Sequence, residues 1–273
     1  MTDRYAVIGN PIGFSKSPLI HGTFAQATGQ DIDYTAIEGP LGGFAGAADA
    51  FRAAGGLGLN ITAPFKLDAF AYATERSERA QLAGAANAMK FDGERVLAEN
   101  FDGVGLVRDV THNLNQPLKG KRVLLLGAGG AARGALLPFL AQEPAGLVIA
   151  HRSVDKALEL ARIGAGHGAV RGCAYTDLVG QRFDVVFNAT SASLRAELPP
   201  VPASVFAHCA LAYELAYGKG LTPFLRLAQN AGVQQLADGV GMLAEQAAEA
   251  FAWWRGVRPD TRAVIDKLTV PLV

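Results

Sequence analysis

Cysteine is scarce in this chain. Among 273 residues there are two, Cys173 and Cys209, far apart and outside any C-x-x-C pair. That excludes a disulfide framework and leaves both as buried or idle thiols. Metal-ligand spacings are lacking too. The five histidines, His21, His112, His151, His167 and His208, form neither H-x-x-x-H nor H-E-x-x-H, so chemistry without a metal is expected. Net charge is absent: 25 Lys and Arg balance 25 Asp and Glu, which removes any global electrostatic reason for a nucleic acid or an anionic membrane as partner. No uninterrupted apolar run reaches the roughly 20 residues of a membrane-spanning helix, and residues 1–10 lack the basic-then-apolar layout of a secretory signal. A cytoplasmic location is expected.

What the chain does have is apolar residues, half of the total, in a length sufficient for two compact domains. The run Arg122 to Leu126 is short and apolar, as a buried parallel strand requires. Gly127, Gly129 and Ala132 then fill a G-x-G-x-x-A spacing. The first glycine permits a tight turn, the second lets backbone approach a pyrophosphate, and Ala132 allows the next helix to pack against its strand. The anion then sits on the exposed N–H groups at the start of that helix. A second strand, Leu147 to Ala150, ends about 20 residues later, where NAD enzymes place an acid for the ribose 2'-hydroxyl. Here the chain reads His151, Arg152, Ser153, with Lys156 close behind. A guanidinium there pairs with a 2'-phosphate, which points to NADP; Asp155 is the one contrary charge.

Strands are also predicted over Tyr5 to Ile8, Asp33 to Ile37 and Leu57 to Ile61, with helices beginning near Pro18 and Leu41. Asn87 to Phe91 and Arg95 to Ala98 flank the hairpin signal Asp92-Gly93. Further strands are expected over Phe183 to Asn188 and Ala210 to Glu214, a helix over Leu221 to Ala231, and another from Asp238-Gly239 through Trp254. The fold class is therefore α/β with two domains. A substrate domain, residues 1–103 with 239–273, is completed by C-terminal helices, and a Rossmann-type domain spans 104–238. The segments Gly103 to Gly105 and Asp238 to Gly241 are placed to act as hinges.

Three polar segments stand out in the first domain. Ser15 and Ser17 precede a helix, where two hydroxyls either hold a carboxylate or serve as turn and cap residues. Asn60 and Thr62 alternate onto one side of a strand end, and Lys66 follows Pro64 at a helix start, a setting that favours proton transfer or leaves a solvated lysine. Asp102, between Phe101 and Gly103, either orients a hydroxyl and pairs with Lys66 or caps the next helix.

Taken together these segments resemble the shikimate dehydrogenase family from Tyr5 to about Val257. GNPIGFSKSP is similar to the family's GNPI-x-x-SKSP, NITAPFK to NVTxPFK, GAANAM to GAVNT, ENFDGVG to DNTDGxG, GAGGAARG to GAGGASRG and HRS to NRT. NATS at 188–191 matches, YGKGLTPFL is similar to Y-x-x-x-x-TPFL, and DGVGMLAEQAAEAF to DGLGMLxxQAAxAF. The resemblance implies reversible hydride transfer between the C3 hydroxyl of shikimate and NADP, giving 3-dehydroshikimate, a step of chorismate and aromatic amino-acid biosynthesis. It implies Lys66 and Asp102 as the catalytic pair, Ser15 and Ser17 on the substrate carboxylate, and Asn60, Thr62, Asn87, Asp102 and Gln246 around the ring, with Tyr217 lining the pocket. On the cofactor side it implies Asn188, Thr190 and Gly239 at the nicotinamide end, Gly127, Gly129, Gly130 and Ala131 at the pyrophosphate, and His151, Arg152, Ser153 and Lys156 at the adenosine phosphate. The partner would be the small acid alone, in a monomer or homodimer.

The pattern is broken at a few positions. Phe101 replaces the threonine of NTDG, Ala88 the threonine after Asn87, Ala132 a serine, Glu214 an aspartate and His151 an asparagine. An aromatic beside Asp102 either packs inward or reshapes the pocket for another ring acid. The alternatives are thus a quinate/shikimate dehydrogenase with NAD tolerance, or a noncatalytic module binding NADPH and a small acid.

Overall fold

The computed structural model describes residues 2–273, apart from the side chain of Leu194. Two compact units divide the chain: residues up to Gly105 with Ala244–Asp266, and Leu106–Leu243 with Lys267–Val273.

In the first unit, strand β1 (Asp3–Gly9) is buried from Tyr5 onward and sits between β2 (Ile32–Glu38) and β3 (Gly56–Ile61), parallel to both. Helix α1 (Ser17–Thr28) joins the first two strands, opening with Pro18 in its first turn and stopping at Gly29 in the left-handed region. Helix α2 (Phe44–Ala53) joins β2 to β3. Its start lies three residues past Leu41, because Gly42 and Gly43 hold a turn there, Gly42 at φ +75°. Beyond β3 come α3 (Lys66–Tyr72), the two-residue strand β4 (Glu75–Arg76) and α4 (Glu78–Ala83), which Ser77 caps by accepting from Ala80 N. The hairpin of β5 (Ala88–Asp92) and β6 (Arg95–Glu99) turns at Gly93, and the complete sheet runs β2-β1-β3-β5-β6-β4. Helix α5 (Asp102–Arg108) carries the chain onward.

The second unit is a six-stranded, all-parallel sheet. Its strands are β7 (Arg122–Leu126), β8 (Gly146–Ala150), β9 (Val170–Cys173), β10 (Val185–Asn188), β11 (Leu211–Glu214) and β12 (Gln235–Ala237), in the order β12-β11-β10-β7-β8-β9. Helices α6 (Gly130–Leu140), α7 (Val154–Gly164) and α8 (Pro223–Asn230) cover it. Strand β7 reads as an unbroken apolar run because both of its faces are covered. Val123 and Leu125 belong to one core cluster with Phe139 and Tyr213, while Leu124 and Leu126 belong to another with Phe183 and Phe224. The strand order reverses between β7 and β10, and in such sheets ligands bind at the carboxyl ends of the strands flanking that point.

Helix α9 (Val240–Arg255) gives its later residues to the first unit, where Phe251 and Trp254 are buried with Phe24 and Tyr5 and the Trp254 indole donates to Met89 O at 2.9 Å. Truncating Phe251 would cost about 3–5 kcal/mol in lost burial and cavity. The following segment, with α10 (Arg262–Leu268), is tied back through buried Glu245, which accepts from Arg258 at 2.5 Å and from Thr261 at 2.6 Å. Both cysteines are free and buried, and burial pushes both thiols up, that of Cys209 to about 12, so neither supplies a thiolate at neutral pH. No helix among the described residues is long and apolar enough to cross a membrane.

Candidate active site and cofactor cradle

The polar cluster of the first unit is assembled where β3, the turn before β5 and the start of α5 end. Ala86 N donates to Lys66 O at 2.9 Å and Asn87 N to Glu99 O at 3.0 Å, fixing the backbone on which the side chains stand. Lys66 Nζ donates to Asp102 Oδ2 at 2.5 Å. Asn87 Nδ2 donates to the other oxygen, Oδ1, at 2.7 Å, and lies 3.2 Å from Gln246 Oε1. Asn87 Oδ1 in turn accepts Phe101 N at 2.9 Å, so the amide cannot flip without losing three contacts. Gly105 makes this convergence possible, because a Cβ there would meet Gln246 N at 2.6 Å. Asp102 does not act as a helix cap: its own N–H goes to Asn100 Oδ1, and its two oxygens face Lys66 and Asn87. The side chain of Asp102 is 14% exposed against 36% for Lys66, so the carboxylate is the held partner and the ammonium the one open to solvent.

Further from the pair, Asn60 Nδ2 reaches Asn87 O at 3.4 Å, and Asn60 Oδ1 accepts the Tyr34 hydroxyl at 2.7 Å. Tyr34 is half-buried, and the burial of its hydroxyl end pushes that group well above the usual range, opposed by the Ser17 hydroxyl beside it. Its ring stacks on His21 at 4.2 Å and 4° between planes. Ser15, Ser17, Asn60 and Tyr34 are thus linked, since Ser15 Oγ also accepts Ser17 N at 3.3 Å. Lys16 takes the cap position of α1 with no side-chain bond, and Ser15 Oγ satisfies the first N–H of the helix in its place. Thr62 is half-buried at the end of β3. The sequence alone does not mark Tyr34 or His21 as part of the site. Nothing in the alternation of β2 marks Tyr34, and a histidine within an apolar helix face reads as core.

Phe101 points inward. It is 4% exposed, packs edge-on against Trp253 at 5.8 Å, and shares a cluster with Ala88, Ala250 and Trp254. Two of the departures, a larger residue at 101 and a smaller one at 88, therefore occupy one packed volume.

In the second unit a cavity of about 470 Å³ opens at the carboxyl ends of β7, β8 and β10, lined by Gly127, Gly129, Gly130, Ala131, His151, Arg152 and Thr190 among others. Gly127 adopts φ +115°, and a Cβ there would stand 2.9 Å from Ala189 O, whereas the space at Gly129 and Gly130 is open. That open floor in front of the α6 N-terminus fits the phosphates of a dinucleotide. The segment that follows β8 brings no carboxylate to the cavity; His151 Nδ1 accepts Ser153 N at 3.0 Å, leaving Arg152 as the charged group of that segment. These residues fit a nucleotide with an additional phosphate at its ribose.

Ser153, Lys156, Asn188 and Gly239 do not line this cavity. Asn188 is fully buried and committed internally: it donates to Glu214 at 2.9 Å and accepts Thr190 Oγ1 at 2.7 Å. Gly239 lets two chain segments touch, since a Cβ there would lie 2.1 Å from Leu215 O. Tyr217 is half-exposed on the loop after β11. Glu214, fully buried, accepts from Asn188, Ser193 and Thr222; burial raises its carboxyl above the usual range against those bonds.

An all-parallel sheet with a glycine cradle at its switch point, and a lysine–carboxylate pair held by amides in a second α/β unit, define a dinucleotide-dependent oxidoreductase. Family models agree on a narrower placement. The model described as shikimate dehydrogenase substrate binding domain matches residues 7–89, shikimate / quinate 5-dehydrogenase matches 109–196, and shikimate 5'-dehydrogenase C-terminal domain matches 239–269. Shikimate dehydrogenase (NADP(+)) of Nitrosospira multiformis is 56% identical over 98% of each chain, and that of Dechloromonas aromatica 52% identical over 100% of each. Among solved structures, an Ael1 enzyme from Pseudomonas putida is 66% identical at TM-score 0.97, covering 99% of this chain and 100% of that one. Shikimate 5-dehydrogenase from Thermus thermophilus, in complex with NADP(H) and shikimate, is 29% identical at TM-score 0.85 over 97% of each chain. This chain belongs to the shikimate dehydrogenase family.

Proposed function

We propose that the chain catalyses the reversible NADP-dependent interconversion of shikimate and 3-dehydroshikimate, the step this family contributes to chorismate biosynthesis. The observation that carries the reading is the Lys66–Asp102 pair, 2.5 Å apart and braced by Asn87. NADP, when bound, supplies the hydride acceptor. The pair shares one mobile proton: it takes the proton released from the C3 hydroxyl during oxidation, and in the reverse direction Lys66 returns it to the forming alkoxide. Asn60, Thr62, Asn87 and Gln246 orient the ring hydroxyls, and Ser15 and Ser17 receive the carboxylate. Residues 1–103 with 239–273 form the substrate domain in this reading and 104–238 the NADP domain. Gly127, Gly129, Gly130 and Ala131 hold the pyrophosphate, and His151, Arg152, Ser153 and Lys156 the ribose phosphate. Asn188, Thr190, Tyr217 and Gly239 border the reacting end. The enzyme works in the cytoplasm as a monomer or homodimer. A binding-only module has no use for a paired lysine and carboxylate, and the basic end of β8 argues against strict NAD use.

Shikimate deuterated at C3 tests the chemistry. Deuterium should appear in the reduced nucleotide, with 3-dehydroshikimate as the product; deuterium retained on the substrate or lost to water would overturn the assignment.

A further inference from the structure

The cofactor cavity carries a second guanidinium that the sequence motifs do not mark. Arg195 and Glu197 lie on the loop after β10 and line the same cavity as Arg152 and the glycine cradle. The fork of Arg195 brackets the Glu197 carboxylate, Nε at 3.0 Å and Nη2 at 2.8 Å, while Nη1 reaches Ser191 Oγ at 3.3 Å. The Arg152 charge reaches the same carboxylate. Two arginines from different loops therefore line one cavity, and the fork of one of them is closed on a carboxylate of the protein.

The loop is well rooted while its charged side chains are half-exposed. Ser193 and Asn188 both donate to buried Glu214, which Thr222 at the start of α8 also approaches. Ala196 then takes a left-handed turn at φ +54°, separating Arg195 from Glu197. The two side chains are each about half-exposed, 55% and 56%. An exposed pair of this kind contributes little to stability, so it opens readily. A ribose phosphate carries roughly −1.5 to −2 charge against the single charge of a carboxylate, and matches the same two-toothed fork.

We infer that Arg195 is a specificity-determining residue, leaving Glu197 to bracket the 2'-phosphate of NADP together with Arg152, with Glu197 as the built-in competitor. A 2'-hydroxyl offers no such anion, so with NAD the guanidinium stays on Glu197. The inference rests on the NADP reading above, and the test separates the two.

Isothermal titration with adenosine 2',5'-bisphosphate and adenosine 5'-phosphate isolates the contribution of the 2'-phosphate without turnover. The unaltered protein should prefer the bisphosphate; equal binding of the two would take down the NADP reading and this inference with it. In Arg195→Ala the bisphosphate should weaken about tenfold, or about 1.4 kcal/mol, with the monophosphate nearly unchanged. Glu197→Gln should tighten the bisphosphate by several-fold. If the unaltered protein prefers the bisphosphate and Arg195→Ala keeps that preference in full, or if Glu197→Gln weakens it, the role of Arg195 is overturned while the cofactor assignment stands.

Discussion

Lys66 Nζ lies 2.5 Å from Oδ2 of Asp102, and the second oxygen of that carboxylate is held by Asn87 at 2.7 Å. The carboxylate thus has one oxygen engaged in positioning and one in proton sharing. Asn87 is itself locked by Phe101 N and Gln246, so the position of Asp102 is set from three directions.

Removing the ammonium should therefore strike turnover rather than binding. In Lys66→Ala the kcat for shikimate oxidation is expected to fall by about 10²–10⁴, with a small change in KM, since general acid–base groups contribute on that scale. Steady-state kinetics decide the matter: an unchanged kcat removes Lys66 from the chemistry.

Tyr34 acts one bond further out. Tyr34→Phe leaves Asn60 Oδ1 without its 2.7 Å donor, which frees the amide to rotate. The expected result is a KM for shikimate raised about threefold to tenfold with kcat less affected, and a stability loss of about 1–2 kcal/mol. A fall in kcat with unchanged KM would contradict the positioning role.

His21 makes stability depend on acid. The ring is fully buried among Tyr34, Phe24, Phe251 and Trp254, and neither nitrogen makes a hydrogen bond of ordinary geometry. Burial, only partly offset by the nearby Asn60 side chain, pushes its pKa down to about 3 from 6.5. Between these values the unfolded chain binds the proton and the folded one does not. Stability is therefore complete above pH 6.5 and drains away as pH falls towards 3, by on the order of 5 kcal/mol in total. His21→Phe keeps an aromatic ring and removes the titration. Compared with the unaltered protein, its melting temperature should gain on going from about pH 7 to about pH 4. Parallel curves across that range would show that His21 is not the group responsible.

Phe101 tests packing against specificity. Because its ring is buried with Ala88 and Trp253, Phe101→Thr should cost about 3 kcal/mol in urea unfolding while leaving the KM for shikimate within about twofold. A large change in KM or in the use of quinate would mean that the aromatic shapes the pocket.

The parts of the fold visible in the sequence are those governed by a strong local rule. Arg122 to Leu126 with its glycines could be read because a doubly covered strand must be apolar throughout and a tight turn needs small residues. Strands β9 and β12 carry no comparable signal, being short edge strands that contain a glycine, an arginine or a glutamine. Lys66 and Asp102 stood out by position, but their meeting depends on Asn87 and on the close approach at Gly105, neither of which spacing reveals. The direction of Phe101 was open because it follows the end of β6, where strand alternation no longer applies. Arg195 lay in a loop without periodicity, and only the folded chain brings it to the cavity that Arg152 also lines.

The most direct test of the central claim is a set of initial rates with shikimate and quinate, each paired with NADP and with NAD, using Lys66→Ala as the blank. The account predicts a rate with shikimate and NADP that far exceeds the other three pairings and vanishes in the blank. Comparable rates with quinate or NAD would contradict the assigned specificity, and no rate in any pairing would contradict catalysis itself.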